Sequence, residues 1–311
     1  MAWRARRAVV LVNPRAGRGD PPALAARAAA ALRAAGTAAE VLATAHPGHA
    51  TELARSRAGN ADLVVVVGGD GTLREALVGL GEEVRSCVLA LVPAGNANVI
   101  ARELGIPRDP SGAMALLAAG APRAIDVGLA DDGREARAFL ALVGVGFDGI
   151  VTHGVDRVRR TAIGRWLYAR GLADAIYALC ALPALLRFAP QRFSLEADGA
   201  VVAAGAPTIV VANAATYAKG WSMTPDARLD SGRLHWMAAR SAAPPRVLAH
   251  LWAASRRRPV GGRLATYGAA ARLSLTADRP FRWQLDGDPM PPCASLGIAV
   301  LPAQARVLAP R

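Results

Sequence analysis

The sequence predicts an α/β N-terminal domain on a parallel sheet, residues 1–126, followed by a C-terminal antiparallel β-sandwich domain, residues 127–311. Three observations lead there. Strand-like and helix-like segments alternate through the first part, the signature of a parallel sheet covered on both faces. After Asp126 the pattern becomes a run of strands with few helices, which makes an antiparallel sandwich or barrel. Within the first part lies "LVVVVGGDGTLREALVGL" (Leu63 to Leu80), where a continuous branched apolar run meets glycines and then a helical pattern. Such a run suits a strand buried on both faces.

The elements read as follows. "AVVLVNP" is a strand and a turn, "PALAARAAAALRAAG" a helix ending at Gly36, and "AEVLAT" a strand. "HATELARSRAG" is a helix with Gly59 as its stop signal. "DLVVVVGG", "TLREALVGLG", "CVLALVPAG" and "ANVIARELGI" repeat the strand-helix alternation, and "SGAMALLAAG" is one more helix. Beyond Asp126, "AFLALVGVGFDG", "RFSLEADGAVVAAG", "PTIVVANA", "GRLHWMAA", "AARLSLTAD", "FRWQLDGDP" and "SLGIAVLPA" read as strands. Asp198-Gly199 sits where a hairpin turn belongs. Two helical insertions interrupt them: residues 161–190, broken near Pro183, and "PPRVLAHLWAASRRR", whose final arginines suit a solvated helix end.

In parallel sheets ligands bind at the carboxyl ends of strands. Three glycine-bearing turns, "NPRAGRG", "GGDGT" and "PAGNAN", fall at such ends. Glycines let backbone N–H groups approach a ligand, and the positive end of the following helix favours phosphate. "GGDGT" is not a P-loop, because no G-x-x-x-x-G-K-[ST] occurs. Asp70 then makes sense beside phosphates if it positions a hydrated Mg²⁺ or the transferring group. Thr72 can cap the helix and bond a phosphate. In the second turn Gly95 gives room, while Asn96 and Asn98 supply donors and acceptors at a helix start.

Composition bounds the partners. The net charge is +13, and one lysine, Lys219, stands among 37 basic residues. A strongly basic surface favours nucleotides or acidic lipid headgroups. No aromatic-plus-basic module supports nucleic-acid binding. Cys87, Cys180 and Cys293 are sparse, odd in number and without CxxC, which argues against a disulfide framework or zinc. His46 and His49 flank Gly48 and read as loop and N-cap residues, with no third metal ligand assigned to them. "AVVLV" is too short for a signal-peptide core, and the uncharged stretch 199–218 carries Gly205 and Pro207, as two strands and a turn would. The expected product is cytoplasmic. Residues 157–187 combine arginines with Trp166, Leu167 and Tyr168, either a helix packed on the sandwich or a surface for an anionic membrane.

The ordered set of motifs resembles the catalytic domain of the diacylglycerol kinase family, which includes bacterial lipid kinases, sphingosine kinases and ceramide kinases. The residues that carry the resemblance are "NPRAG" (13–17), "GGDGTLRE" (68–75), "PAGNANVIA" (93–101), "GFD" (146–148), "PDARLDSG" (225–232) and "DGD" (286–288). "GGDGT" alone is shared with NAD kinases and some phosphofructokinases. The resemblance implies ATP and Mg²⁺ on the first domain and a lipid substrate on the second, whose last residues would pack back on the first. It implies nucleotide contacts from Asn13, Thr44, Gly68, Gly69, Asp70, Gly71, Thr72, Glu75, Gly95, Asn96 and Asn98. Asp288 would take the proton from the lipid hydroxyl, Asp70 would act beside it, and Asp70 and Asp126 would belong to the acidic network near the metal. Four positions depart from the family pattern. Asn96 replaces a threonine, Val99 an aspartate, Ser231 an aspartate of a structural Mg²⁺ site, and Asp288 a glutamate one methylene longer.

The implied activity is transfer of the γ-phosphate of ATP to a lipid hydroxyl, such as that of diacylglycerol, in phospholipid metabolism. The enzyme would meet its lipid at the inner face of the membrane as a peripheral protein. A homodimer is left open. Alternatives are an NAD kinase-like soluble kinase, expected to lack "GFD" and "DGD", and a non-catalytic nucleotide- or lipid-binding relative.

Overall fold

The computed structural model describes residues 3–17, 19–170, 172–187, 191–217 and 220–311. Arg18, Lys219 and the side chains of Tyr168 and Arg187 lie outside the described residues. The chain forms two compact units, Met1–Asp126 with Ala303–Arg311, and Val127–Pro302.

The first unit alternates as its sequence does. β1 (Arg7–Val12), α1 (Pro21–Ala34), β2 (Ala38–Ala43), α2 (His49–Arg57), β3 (Leu63–Gly68), α3 (Asp70–Leu80), β4 (Val88–Pro93), α4 (Val99–Glu103) and α5 (Pro110–Ala119) follow in order. β5 (Ala121–Asp131) leaves it. The strands pair in parallel in the order β4-β3-β1-β2. β3 is buried along its whole length, as five branched apolar residues demand. α1 starts where Asp20 accepts the Ala23 N–H at 3.0 Å, with prolines at its first positions. α3 buries Leu73, Ala76, Leu77 and Leu80, the i, i+3, i+4, i+7 stripe that seats a helix on a sheet.

The second unit contains β6 (Ala136–Phe139), β7 (Leu142–Val145), α6 (Phe147–Arg159), α7 (Ala162–Ala169), α8 (Ala173–Arg187), β8 (Phe193–Ala197) and β9 (Ala200–Ala206). Then come β10 (Ile209–Ala212), β11 (Leu234–Ala239), α9 (Pro244–Ser255), β12 (Ala265–Ala270), β13 (Arg272–Leu285) and β14 (Asp288–Ala309). β12-β11-β10-β7-β13-β14 pair antiparallel. The first half of β13 pairs with β8, which pairs with β9, so one bent strand serves both sheets of the sandwich. Phe193, Leu195, Leu273 and Leu275 meet Val145, Ile209, Val211 and Trp236 in the core between them. The alternate residues Val210, Ala212, Met237 and Ala239 point to the opposite face, which is also apolar. The Asp198-Gly199 turn has φ of 49° and 87°, the left-handed pair that a two-residue hairpin needs.

Several expectations are corrected. The strand read through "GFD" stops at Val145; Gly146, at φ 77°, turns the chain, and Phe147 and Asp148 open α6. The helical insertion breaks where Leu172 N–H returns to Leu167 O at 3.0 Å, and Pro183 sits inside α8 on an exposed position. "ATYGAA" was not anticipated as a strand, since its small residues carry little β signal, yet it forms β12 beside β11. "AARLSLTAD" and "FRWQLDGDP" are one strand with irregular register between Thr276 and Phe281. Arg257 is not a plain solvated end: at φ 53° it turns back and donates to Thr216 Oγ1 and Gly220 O. Among the described residues no helix is long and apolar enough to cross a membrane.

Candidate functional site

The three glycine turns meet through their backbones. A methyl group on Gly17, at φ 55°, would lie 1.6 Å from Ala94 O, so "NPRAG" lies directly on "PAG". A methyl on Gly95 would lie 2.6 Å from Gly69 Cα, so "PAG" also lies on "GGDG". Side chains at these places would force the loops apart. Asn13 ends β1, donating its N–H to Val67 O at 3.1 Å and its amide to Thr72 Oγ1 at 3.4 Å. Asn98 is buried in the left-handed region, and its amide closes a ring with Gly95 by accepting at 3.1 Å and donating at 2.7 Å. Asn96 lies half-buried in the same loop.

Asp70 and Glu75 both anchor helix starts. Asp70 accepts the Val99 N–H at 2.9 Å and the Ile100 N–H at 3.0 Å, capping α4 from α3. Burial of its carboxyl pushes the pKa up, against the pull of these amides and of Arg102. Glu75 accepts the Gly48 N–H at 3.0 Å and the Ala50 N–H at 3.3 Å, capping α2. The Glu75 carboxylate thereby positions the loop after β2. Thr72 is not the cap expected. Gly69 is the N-cap, Thr72 is buried one turn in, and no side chain caps α3. The first turn of α3, which begins at Asp70 after Gly69, thus has no side-chain cap, whereas the α4 start has its amides taken by Asp70.

Thr44 is half-buried just past β2, its N–H on Val12 O at 2.8 Å. Beside it the structure supplies the third ligand not foreseen in sequence: His46, His49 and Glu52 bring ligand atoms within 4.8 Å of one another. The geometry does not suit a metal. His49 Nδ1 accepts the Ala45 N–H at 2.9 Å, so the neutral ring carries its proton on the other nitrogen. The two rings stack with centroids 4.7 Å apart instead of converging on a point. Asp126 is buried, and its Oδ1 accepts the Ala303 N–H at 2.8 Å, holding a residue at φ 48°.

In the second unit Asp288 opens β14 after the Asp286-Gly287 turn, at φ 51° and 87°. Asp286 pins that turn by accepting N–H bonds from Leu140, Ala141 and Leu142 at 2.9, 2.8 and 3.0 Å. Gln284 accepts the Gly287 N–H at 2.7 Å and donates to Asp148 Oδ2 at 2.7 Å. Tyr217 donates its hydroxyl to Asp148 Oδ1. Burial raises the Asp148 pKa and, together with the Asp148 charge, that of Tyr217. Asp148 and Tyr217 sit on the wall of an apolar cavity of about 520 Å³. Val210, Met237 and Ala239 form its floor, and α6, α8 and α9 its sides. Ser231, where the family has an aspartate, closes its own turn by donating to Arg228 O and Arg233 O.

Comparison with known proteins decides the family. The diacylglycerol kinase catalytic domain family matches residues 7–130, and the YegS C-terminal NAD kinase beta sandwich-like domain family matches residues 141–309. A probable lipid kinase YegS-like protein of Stenotrophomonas maltophilia is 30% identical over 239 residues, 74% of this chain and 73% of that one. The chain belongs to this lipid kinase family. It is also 26% identical over 285 residues to a diacylglycerol kinase of Bacillus subtilis, covering 91% of this chain and 90% of that one. A solved structure of a putative diacylglycerol kinase from Bacillus anthracis shares the fold, with a TM-score of 0.79 at 20% identity over 99% of this chain and 98% of that chain.

In this lipid kinase the residues that hold the site together were the ones sequence reasoning missed. Asp286 was visible as a hairpin aspartate, but not as the acceptor of three amides from a segment 144 to 146 positions away. Gln284 and Tyr217 carried no signal, and Asp148 had a motif but no task.

Proposed function

We propose that the chain transfers the γ-phosphoryl group of ATP to the hydroxyl of a lipid such as diacylglycerol. The observation that carries the reading is the open first turn of α3, bordered by glycine backbones from two other loops and by Asn13. Uncapped amides at a helix start receive a polyphosphate without a side chain in the way. Asn13, Thr44, Gly68, Gly69, Gly71, Thr72, Gly95, Asn96 and Asn98 would surround the nucleotide, with Asp70 fixing the loop that faces it.

The donor set fits Mg²⁺ at one residue. Asp70 supplies carboxylate oxygens, the hard donors this ion takes, beside the first turn of α3. Asp70 would hold it together with the phosphates, where it supplies neutralisation of their charge.

Asp288 would accept the proton of the lipid hydroxyl as that oxygen attacks the γ-phosphorus, and the leaving group would be ADP. Its turn is held rigid by Asp286 and Gln284, which favours a fixed base. The apolar cavity of about 520 Å³ suits acyl chain, and the buried Asp148 and Tyr217 on its wall suit a polar lipid group. The work would be done peripherally at a membrane surface.

Incubation with radiolabelled ATP, Mg²⁺ and a panel of lipid alcohols tests this. Label should enter a lipid, and Asp288→Ala should remove it. Label entering NAD and no lipid would instead mark a soluble NAD kinase and overturn the reading.

A further inference from the structure

We infer that the second unit docks on an anionic bilayer through the joined faces of α7, α8 and α9, so that the apolar cavity opens toward the acyl layer. This rests on the lipid kinase reading for its purpose, though not for its test.

The three helices pack in sequence, α7 on α8 and α8 on α9. Among the described residues, their outer faces expose large apolar side chains. Ile163 and Trp166 are 72% and 52% exposed on α7, Leu182 and Leu186 are 60% and 72% exposed on α8, and Leu248 and Trp252 are 54% and 64% exposed on α9. Several large apolar side chains left exposed on helices that pack together mark an interaction site. Its position relative to the cavity is specific. Ala181 of α8 and Val247 and Leu251 of α9 line the cavity, and Leu182, Leu248 and Trp252 are their immediate neighbours in sequence. The exposed apolar residues therefore border the lining ones on both helices.

Charge complementarity selects the partner. Eight arginines and no acidic residue lie between Asp230 and Asp278, the stretch that contains α9. Residues 157–187 hold six arginines and one aspartate. Arg170 lies 4.1 Å over the Trp166 ring and Arg256 lies 5.3 Å over the Trp252 ring. A tryptophan beside an arginine is the pairing suited to a headgroup boundary, with the ring among chains and the guanidinium among phosphates. A second copy of this chain is disfavoured as the partner, since a symmetric contact would set the same arginines against one another.

Co-sedimentation with vesicles tests the inference. The chain should bind phosphatidylglycerol-containing vesicles about tenfold more than phosphatidylcholine vesicles, with the difference falling as salt rises. The double variant Leu248→Ser/Trp252→Ser and the charge variant Arg256→Glu should each lose about tenfold in binding. All of these positions are exposed, and unchanged circular dichroism and melting temperature check the fold. The double variant should still phosphorylate water-dispersed dihexanoylglycerol while failing on long-chain diacylglycerol in vesicles. Variants that sediment like the unaltered chain would overturn the docking surface. So would a double variant that keeps vesicle binding but loses a dimer in ultracentrifugation. If the expected sedimentation pattern appears and no lipid is ever phosphorylated, the surface stands and the kinase reading falls.

Discussion

Gln284 ties Asp148 to the turn that precedes Asp288: its Nε2 donates to Asp148 Oδ2 at 2.7 Å, and its Oε1 accepts the Gly287 N–H at 2.7 Å. One buried amide thus joins the cavity wall to the hairpin carrying the proposed base. Replacing it by leucine releases the Gly287 N–H and leaves a buried Asp148 oxygen without this donor. Gln284→Leu should lower stability by about 1–3 kcal/mol. It should also lower kcat with little change in the KM for ATP. Denaturant melts and initial rates measure both, and unchanged values would refute the coupling.

The two aspartates of "DGD" should separate cleanly. Asp286 holds three amides, so Asp286→Ala should cost roughly 1.5–3 kcal/mol or more in stability. Asp288→Ala should lose phosphotransfer and cost less stability than Asp286→Ala. Comparison of melting curves with turnover decides it, and the opposite assignment of the two phenotypes would exclude Asp288 as the base.

Asp70 combines a structural and a chemical task. Asp70→Ala strands the Val99 and Ile100 amides, with an expected loss of about 1–3 kcal/mol as well as of activity. Asp70→Asn keeps one acceptor and should restore part of the stability without restoring turnover. Full activity in Asp70→Asn would mean that its charge is not needed.

Asp148 should give the stability curve a pH dependence. Its folded pKa is raised by burial, so the folded state holds the proton more tightly than the unfolded one. The stabilisation is full below the unfolded value of 3.8 and is lost as pH rises through the higher folded value. Asp148→Asn removes this titration, so its unfolding free energy should fall less over that interval. Parallel slopes for the two proteins would show that Asp148 stays ionised in the fold.

Gly95 tests the contact between the two glycine turns. A methyl group there meets Gly69 Cα at 2.6 Å and Asn98 Oδ1 at 2.8 Å. Gly95→Ala should cost about 1–3 kcal/mol by overpacking. It should raise the KM for ATP, while the α-helical circular dichroism stays constant. An unaltered KM would mean that the two turns do not share a ligand.

The primary sequence determined the architecture and where the glycine turns fall. Branched apolar runs such as "LVVVV" can be satisfied only in a doubly covered sheet, and glycines after them allow tight turns at the strand ends. Both signals are local, because periodicity and backbone freedom act over a few residues. The roles of the carboxylates were decided only in three dimensions. Asp70, Glu75, Asp126 and Asp286 all looked like turn or ligand acids, yet each meets backbone N–H groups of a segment 25 to 177 positions away. A carboxylate's partner depends on which amides the packed fold leaves unpaired nearby, and no local pattern records that. The face of α7, α8 and α9 follows the same rule: amphipathic spacing marks which residues are apolar, and tertiary packing decides which of them remain uncovered.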